Sequence, residues 1–161
     1  EDTDLGPVVH ARSADRIMAV VADAQKAGAH FALEPHREGC VISPGVIVSE
    51  DPNLRIVTEE IFGPLVVVIP ADNVDHAIAI ANASEFGLQA SCFTRSLDTA
   101  FRMSRELSVG SLWINEGSRF RLDNYPFGGV GSSGFGREGV RFAMEAFTQW
   151  RFTGMRFPAA G

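Results

Sequence analysis

Lysine is almost missing from this sequence. Lys26 stands alone against 13 arginines, a skew of base composition rather than of chemistry. Cysteine is scarce as well. Cys40 and Cys92 are the two present, too few to frame a disulfide scaffold. No apolar run approaches the roughly 20 residues of a membrane-crossing helix. Positive charge is in deficit: 20 acids against 14 bases give a net charge of −6. That balance argues against non-specific binding to nucleic acid or to an anionic membrane surface. His10, His30, His36 and His76 pair neither with one another nor with cysteine at metal-ligand spacing, so no metal site is expected. The acidic opening Glu1-Asp2-Thr3-Asp4 lacks the basic and apolar regions of a signal or transit peptide. A cytoplasmic compartment is the expectation.

What is present is an ordinary globular balance. The 161 residues are 45% hydrophobic and 21% charged, with 16 glycines, enough for one domain with a real core. Ser13 is placed to cap a helix that carries Ile17, Val20, Val21 and Ala24 on one face and ends at Gly28. Residues 30–33 read as a short strand and 34–39 as a surface loop. Residues 40–48 read as a strand kinked at Pro44-Gly45 or lying at an edge.

A regular unit follows. Residues 65–69 read as a buried strand. Asp72 caps a helix with Val74, Ala77, Ile78 and Ala81 on one face, which Gly87 stops. Residues 88–93 form a second strand. Ser96 caps a second helix carrying Ala100, Phe101 and Leu107. Residues 111–114 form a third strand. Strand, helix, strand, helix, strand with short connections predicts an α/β fold with a parallel sheet. Ligands gather at the carboxyl ends of such strands, so residues 115–127 should line a site. A glycine-rich loop over 128–136, a helix over 137–146 and a last strand over 148–157 complete the chain, with residues 158–161 as a frayed tail.

Three stretches carry chemistry. In Thr58-Glu59-Glu60-Ile61-Phe62-Gly63-Pro64 an ionised carboxylate, which only accepts hydrogen bonds, suits the paired hydroxyls of a ribose. Phe62 offers a flat face to a flat ring. The second stretch is Pro126-Phe127-Gly128-Gly129 and the third Gly136-Arg137-Glu138-Gly139. Between them, Gly129-Val130-Gly131-Ser132-Ser133-Gly134 fits the letters of a dinucleotide fingerprint. It follows Tyr125-Pro126-Phe127 rather than a strand, and no acid lies in 149–156 where one is needed. It reads instead as a tight backbone-packing loop. Cys92, mid-strand, reads as an inert core thiol, and Cys40 sits at a loop edge; neither has the surroundings of a nucleophile.

The three stretches, in this order and spacing, resemble the aldehyde dehydrogenase superfamily. The resemblance runs from about Gly6 to about Phe157 and covers the carboxy-terminal third of a family member. It implies a parallel-sheet catalytic-domain fragment over 1–147, followed by an oligomerisation strand and tail over 148–161. It implies NAD or NADP as cofactor, a small-molecule aldehyde as substrate, and a homodimer or tetramer built through 148–157. By the same resemblance Glu60 holds the ribose beside the nicotinamide and Phe62 packs by its ring. Phe127 contacts substrate, and Glu138 neighbours the active-site water; read from position alone, Glu138 is a first-turn acid on the last helix. Arg119 and Arg121 border the substrate mouth and suit an anionic or hydroxy aldehyde, with an Arg121–Asp123 surface pair as the plainer alternative. The parent reaction is thiolate attack on the aldehyde, hydride transfer to nicotinamide and hydrolysis of a thioester. Its nucleophilic cysteine, glutamate base and nucleotide-binding domain are expected upstream of Glu1, so the isolated chain is expected to be inactive. The competing expectation is a non-catalytic interaction module that pairs through its last strand.

Overall fold

The computed structural model describes residues 4–157; the expected tail over 158–161 lies outside them. The chain divides into two compact units, Glu1–Ser84 and Glu85–Gly161, and each is described by itself.

The first unit begins with helix α1, Ala11–Lys26. Its cap is His10, not Ser13. The imidazole Nδ1 of His10 accepts the Ser13 amide at 3.0 Å, a role normally taken by a short side-chain oxygen. Ala14, Ile17, Val20, Val21 and Ala24 are buried along one stripe, each larger one contributing on the order of 1.5–3 kcal/mol. Gly28, at φ +85, ends the helix as expected.

The strands that receive this stripe are β1 (His30–Leu33), β4 (Gly45–Val48) and β5 (Leu65–Val68), in the order β1-β4-β5. β1 runs antiparallel to β4, and β5 runs parallel to it. β4 is therefore the centre of the sheet, not its edge. The expected kink at Pro44-Gly45 is a full break, because β3 (Val41–Ile42) pairs separately with β2 (Arg37–Glu38) as a small hairpin. Ile47 on β4 packs with Val20, Ala24 and Ile56, the last from the short helix α2, Arg55–Thr58. Gly45 must lack a side chain, since a Cβ there would lie 2.8 Å from Leu65 Cδ2. β5 is not buried through its length: Val66 and Val68 on its second face are exposed. Helix α3, Val74–Asn82, closes the unit. Asn73, one residue past the expected Asp72, caps it by accepting the His76 amide at 2.9 Å. Gly87 does not stop this helix, which has already ended at Asn82.

The second unit carries β6 (Phe86–Gly87), β7 (Gln89–Cys92), helix α4 (Leu97–Glu106), β8 (Ser111–Ile114), β9 (Val130–Gly131) and helix α5 (Val140–Ala146). Ser96 caps α4 as expected, accepting the Thr99 amide at 3.2 Å. β7 and β8 pair in parallel, Gln89 to Ser111 through Cys92 to Ile114. The strand–helix–strand order is thus correct, but β5 pairs with β4 while β7 pairs with β8. β6 and β9 form a two-residue antiparallel ladder that ties the glycine-rich loop to the start of β7. Residues 148–157 form no ladder and are exposed throughout, because a strand exists only where a second strand supplies its hydrogen bonds. Among the described residues, every fully buried apolar side chain belongs to the first unit.

Candidate functional site

The Glu59-Glu60 pair is resolved by its surroundings. Glu59 follows α2 and accepts Arg55 Nε at 2.6 Å, while Arg55 Nη1 reaches Asp23 at 3.0 Å. Glu59, and then Asp23, hold the Arg55 guanidinium above its ordinary pKa. Glu60 is exposed, and its carboxylate makes no hydrogen bond or ion pair among the described residues. Of the two acids, Glu60 is the one free to accept from a ligand. Two residues on, Phe62 has φ +49 and is 77% exposed. A left-handed backbone at a bulky residue costs about 1–2 kcal/mol, and burial of the ring returns little of it here. Gly63 then passes so close to α1 that a Cβ would sit 2.8 Å from Ile17 Cδ1. An unpartnered carboxylate beside a bare aromatic face fits a ribose diol and a nicotinamide ring.

In the second unit the loop that leaves β8 is braced at its root. Asn115 takes φ +59, and its side-chain amide bonds Thr94 twice, accepting its N–H at 2.7 Å and donating to its carbonyl at 2.8 Å. Trp113 meets Phe120 edge-to-face at 5.0 Å and Tyr125 at 5.8 Å. Sequence reading passed over Trp113, whose place at the last strand position but one was the available signal. The loop so held presents Arg121, whose Nη2 lies 2.8 Å from Glu138 Oε2 and whose Cζ stands 4.1 Å from the Phe127 ring centroid. Phe127 and Glu138 in turn exchange both backbone hydrogen bonds, at 3.0 and 2.6 Å. Arg121, Phe127 and Glu138 therefore form one cluster, of which Arg121 and Glu138 line a cavity of about 560 Å³ together with Asp123, Arg137 and Phe147. The alternative pairing of Arg121 with Asp123 is absent. Glu138 is not a first-turn acid, since α5 starts at Val140 after Gly139 at φ +123. Arg119 is exposed and makes no such contact.

The loop between Phe127 and Glu138 is packed backbone on backbone. A Cβ on Gly128 would lie 2.4 Å from Gly136 O, and one on Gly110 only 1.6 Å from Gly128 O. Ser132 Oγ donates to Glu85 Oε2 at 2.7 Å, Ser133 Oγ accepts the Gly87 amide at 3.0 Å, and Arg137 Nη1 donates to Gly129 O at 3.0 Å. The amides of Ser132, Ser133 and Gly134 donate to the carbonyls of Glu85, Val130 and Gly131, in keeping with its reading as a packing loop. Cys40 and Cys92 are both half-buried and unpaired. No group of three or more metal-ligating side chains occurs among the described residues, and no helix among them is long and apolar enough to cross a membrane.

The sequence model of the aldehyde dehydrogenase family matches residues 1–153. A curated relative, 3-sulfolactaldehyde dehydrogenase of Priestia megaterium, is 36% identical over 94% of this chain and 32% of its own length. The crystal structure of glyceraldehyde-3-phosphate dehydrogenase from Methanocaldococcus jannaschii, complexed with NADP, superposes with a TM-score of 0.85 at 35% identity, over 90% of this chain and 31% of its own. A Mycobacterium tuberculosis aldehyde dehydrogenase complexed with NAD+ gives 0.82 at 33%, over 90% and 31%. The fold is that of the solved aldehyde dehydrogenases. The chain belongs to the aldehyde dehydrogenase family, and it spans about a third of the length of the relatives it matches.

Proposed function

We propose that this chain forms the carboxy-terminal part of an NAD- or NADP-dependent aldehyde dehydrogenase that oxidises a short, anionic aldehyde to its carboxylate. The observation that carries the reading is Arg121, laid over Phe127 and held by Glu138 at the cavity mouth. A guanidinium fork binds a sulfonate, phosphate or carboxylate through two parallel hydrogen bonds. Its present partner is weak competition, because a pair with 39% and 70% of its side chains exposed is worth only about 0–1 kcal/mol. An incoming anion exchanges with Glu138 at little cost. The names of the Priestia and Methanocaldococcus relatives specify a sulfonated and a phosphorylated aldehyde, which supports an anionic substrate here.

Glu60 accepts hydrogen bonds from the ribose hydroxyls, and Phe62 packs beside the nicotinamide. The nicotinamide, when bound, takes the hydride from the substrate carbon. Phe127 borders the aldehyde, and Glu138 stands next to the water that completes the reaction. Neither Cys40 nor Cys92 serves as nucleophile in this reading; the chain supplies walls and orientation. Residues 148–157 add a strand to a second subunit in a homodimer or tetramer. The exposure of that same segment also suits the second reading, an interaction module without catalysis.

The test is the complete enzyme assayed with both nucleotides on matched aldehydes, one sulfonated, one phosphorylated and one neutral, of equal chain length. Preference for the charged pair is expected. Preference for the neutral aldehyde removes the substrate class, and no oxidation of any of them with either nucleotide removes the enzyme reading.

A further inference from the structure

Arg16 lies on α1, one residue before the fully buried Ile17, and is itself half-buried. Its guanidinium forms no ion pair among the described residues. Both of its terminal nitrogens point instead at consecutive carbonyls of the Glu60 stretch: Nη2 donates to Ile61 O at 2.5 Å and Nη1 to Glu60 O at 3.5 Å. The bonds span 44 and 45 residues of sequence, so they fasten a loop to a helix. Ile17 seats the same turn through its contact with Gly63. Between these two anchors stands Phe62 with its left-handed backbone. A strained conformation persists only where its surroundings over-determine it.

We infer that Arg16 is a positioning residue for the cofactor site: its guanidinium fixes the carbonyls of Glu60 and Ile61, and so holds the Glu60 carboxylate and the Phe62 ring in the posture that receives the nicotinamide ribose and ring. The inference rests on the reading of Glu60 and Phe62 given above. It concerns orientation alone, because both of the guanidinium's bonds go to backbone carbonyls. Lysine keeps the charge but presents a point donor in place of the fork that spans two carbonyls. Methionine keeps the stem and removes every donor.

The experiment uses the complete enzyme with Arg16→Lys, Arg16→Met and, as a control, Glu60→Gln. Dissociation of NADPH and NADH is read from nucleotide fluorescence, alongside KM for each substrate, the thermal midpoint and amide exchange over 60–63 in the cofactor-free protein. Arg16→Met is expected to weaken nucleotide binding about tenfold, the equivalent of one charge-assisted hydrogen bond. Exchange over 60–63 should accelerate while the aldehyde KM stays unchanged, and Arg16→Lys should fall between. Nucleotide affinity unchanged in Arg16→Lys and Arg16→Met, while Glu60→Gln loses it, overturns the positioning role. Equal losses toward nucleotide and aldehyde reduce Arg16 to general stability and overturn it too. If Glu60→Gln leaves nucleotide affinity intact, the cofactor reading itself fails, separately from Arg16. Should Arg16→Met not fold, Arg16→Lys decides, with a lowered nucleotide affinity at an unchanged thermal midpoint as the supporting result.

Discussion

Arg121 and Glu138 meet at 2.8 Å across 17 residues of sequence, and the Arg121 guanidinium covers the Phe127 ring from 4.1 Å. The pair leaves Arg121 positioned but only lightly engaged, which suits the anion-binding role proposed for it. In the complete enzyme, Arg121→Leu is expected to lower kcat/KM for anionic aldehydes by about tenfold or more, the scale of a lost charge-assisted bond. Neutral aldehydes of equal length should lose much less. Arg119→Leu, at a residue with no such partner, should have the smaller effect. Equal losses for both aldehyde types would leave Arg121 as a surface ion pair.

Gly110 and Gly128 predict a stability effect far from any chemistry. A methyl group on Gly110 would lie 1.6 Å from the Gly128 carbonyl oxygen, whereas one on Gly117 would meet nothing within 4 Å. Gly110→Ala should therefore destabilise by about 4 kcal/mol or more, in the range reserved for severe steric conflicts. Gly117→Ala should stay within about 0.5 kcal/mol of the parent. Urea denaturation of both variants in the complete enzyme checks this, and a Gly110→Ala midpoint close to that of Gly117→Ala would mean that the loop yields.

Trp150, Phe152, Met155 and Phe157 stand open to solvent on a segment without a strand partner. The isolated chain should self-associate or aggregate through it. Light scattering over a concentration series is expected to show this for the parent, with a clear reduction in Trp150→Lys and in a chain ending at Ala146. Association unchanged in both variants would place the assembly surface elsewhere.

The isolated chain should not oxidise aldehydes. Its two cysteines are half-buried, and the proposed role of the chain is to orient, not to attack. Turnover above background with NAD or NADP, in a preparation free of host dehydrogenases, would reassign the nucleophile to Cys40 or Cys92.

Local signals were read well from the sequence where they were strictly local. The buried face of α1, the strand 30–33 and the strand 111–114 emerge as expected, since alternation and helical periodicity are properties of a few neighbouring residues. Caps shifted by one and by three residues. Asn73 rather than Asp72 caps α3, and an imidazole rather than a hydroxyl caps α1. The site was legible as residue types, and its connections were not. Nothing near Arg121 in the sequence indicates that its partner is Glu138 rather than Asp123, and nothing indicates that Arg16 bonds the Glu60 and Ile61 carbonyls. The last segment misled for the same reason: its composition suits a strand, but a strand is a relation between two chains of atoms, and among the described residues 148–157 pair with none.

Among the described residues, the buried aliphatic side chains of the first unit have no counterpart in the second, and the two should part company on heating. A calorimetric trace of the 161 residues alone should carry a single cooperative peak, smaller than a chain of this length would give if all of it melted. The heat would come from the sheet and helix around Ile17 and Ile47. Proteases should find the residues beyond Ser84 first and leave a resistant amino-terminal core.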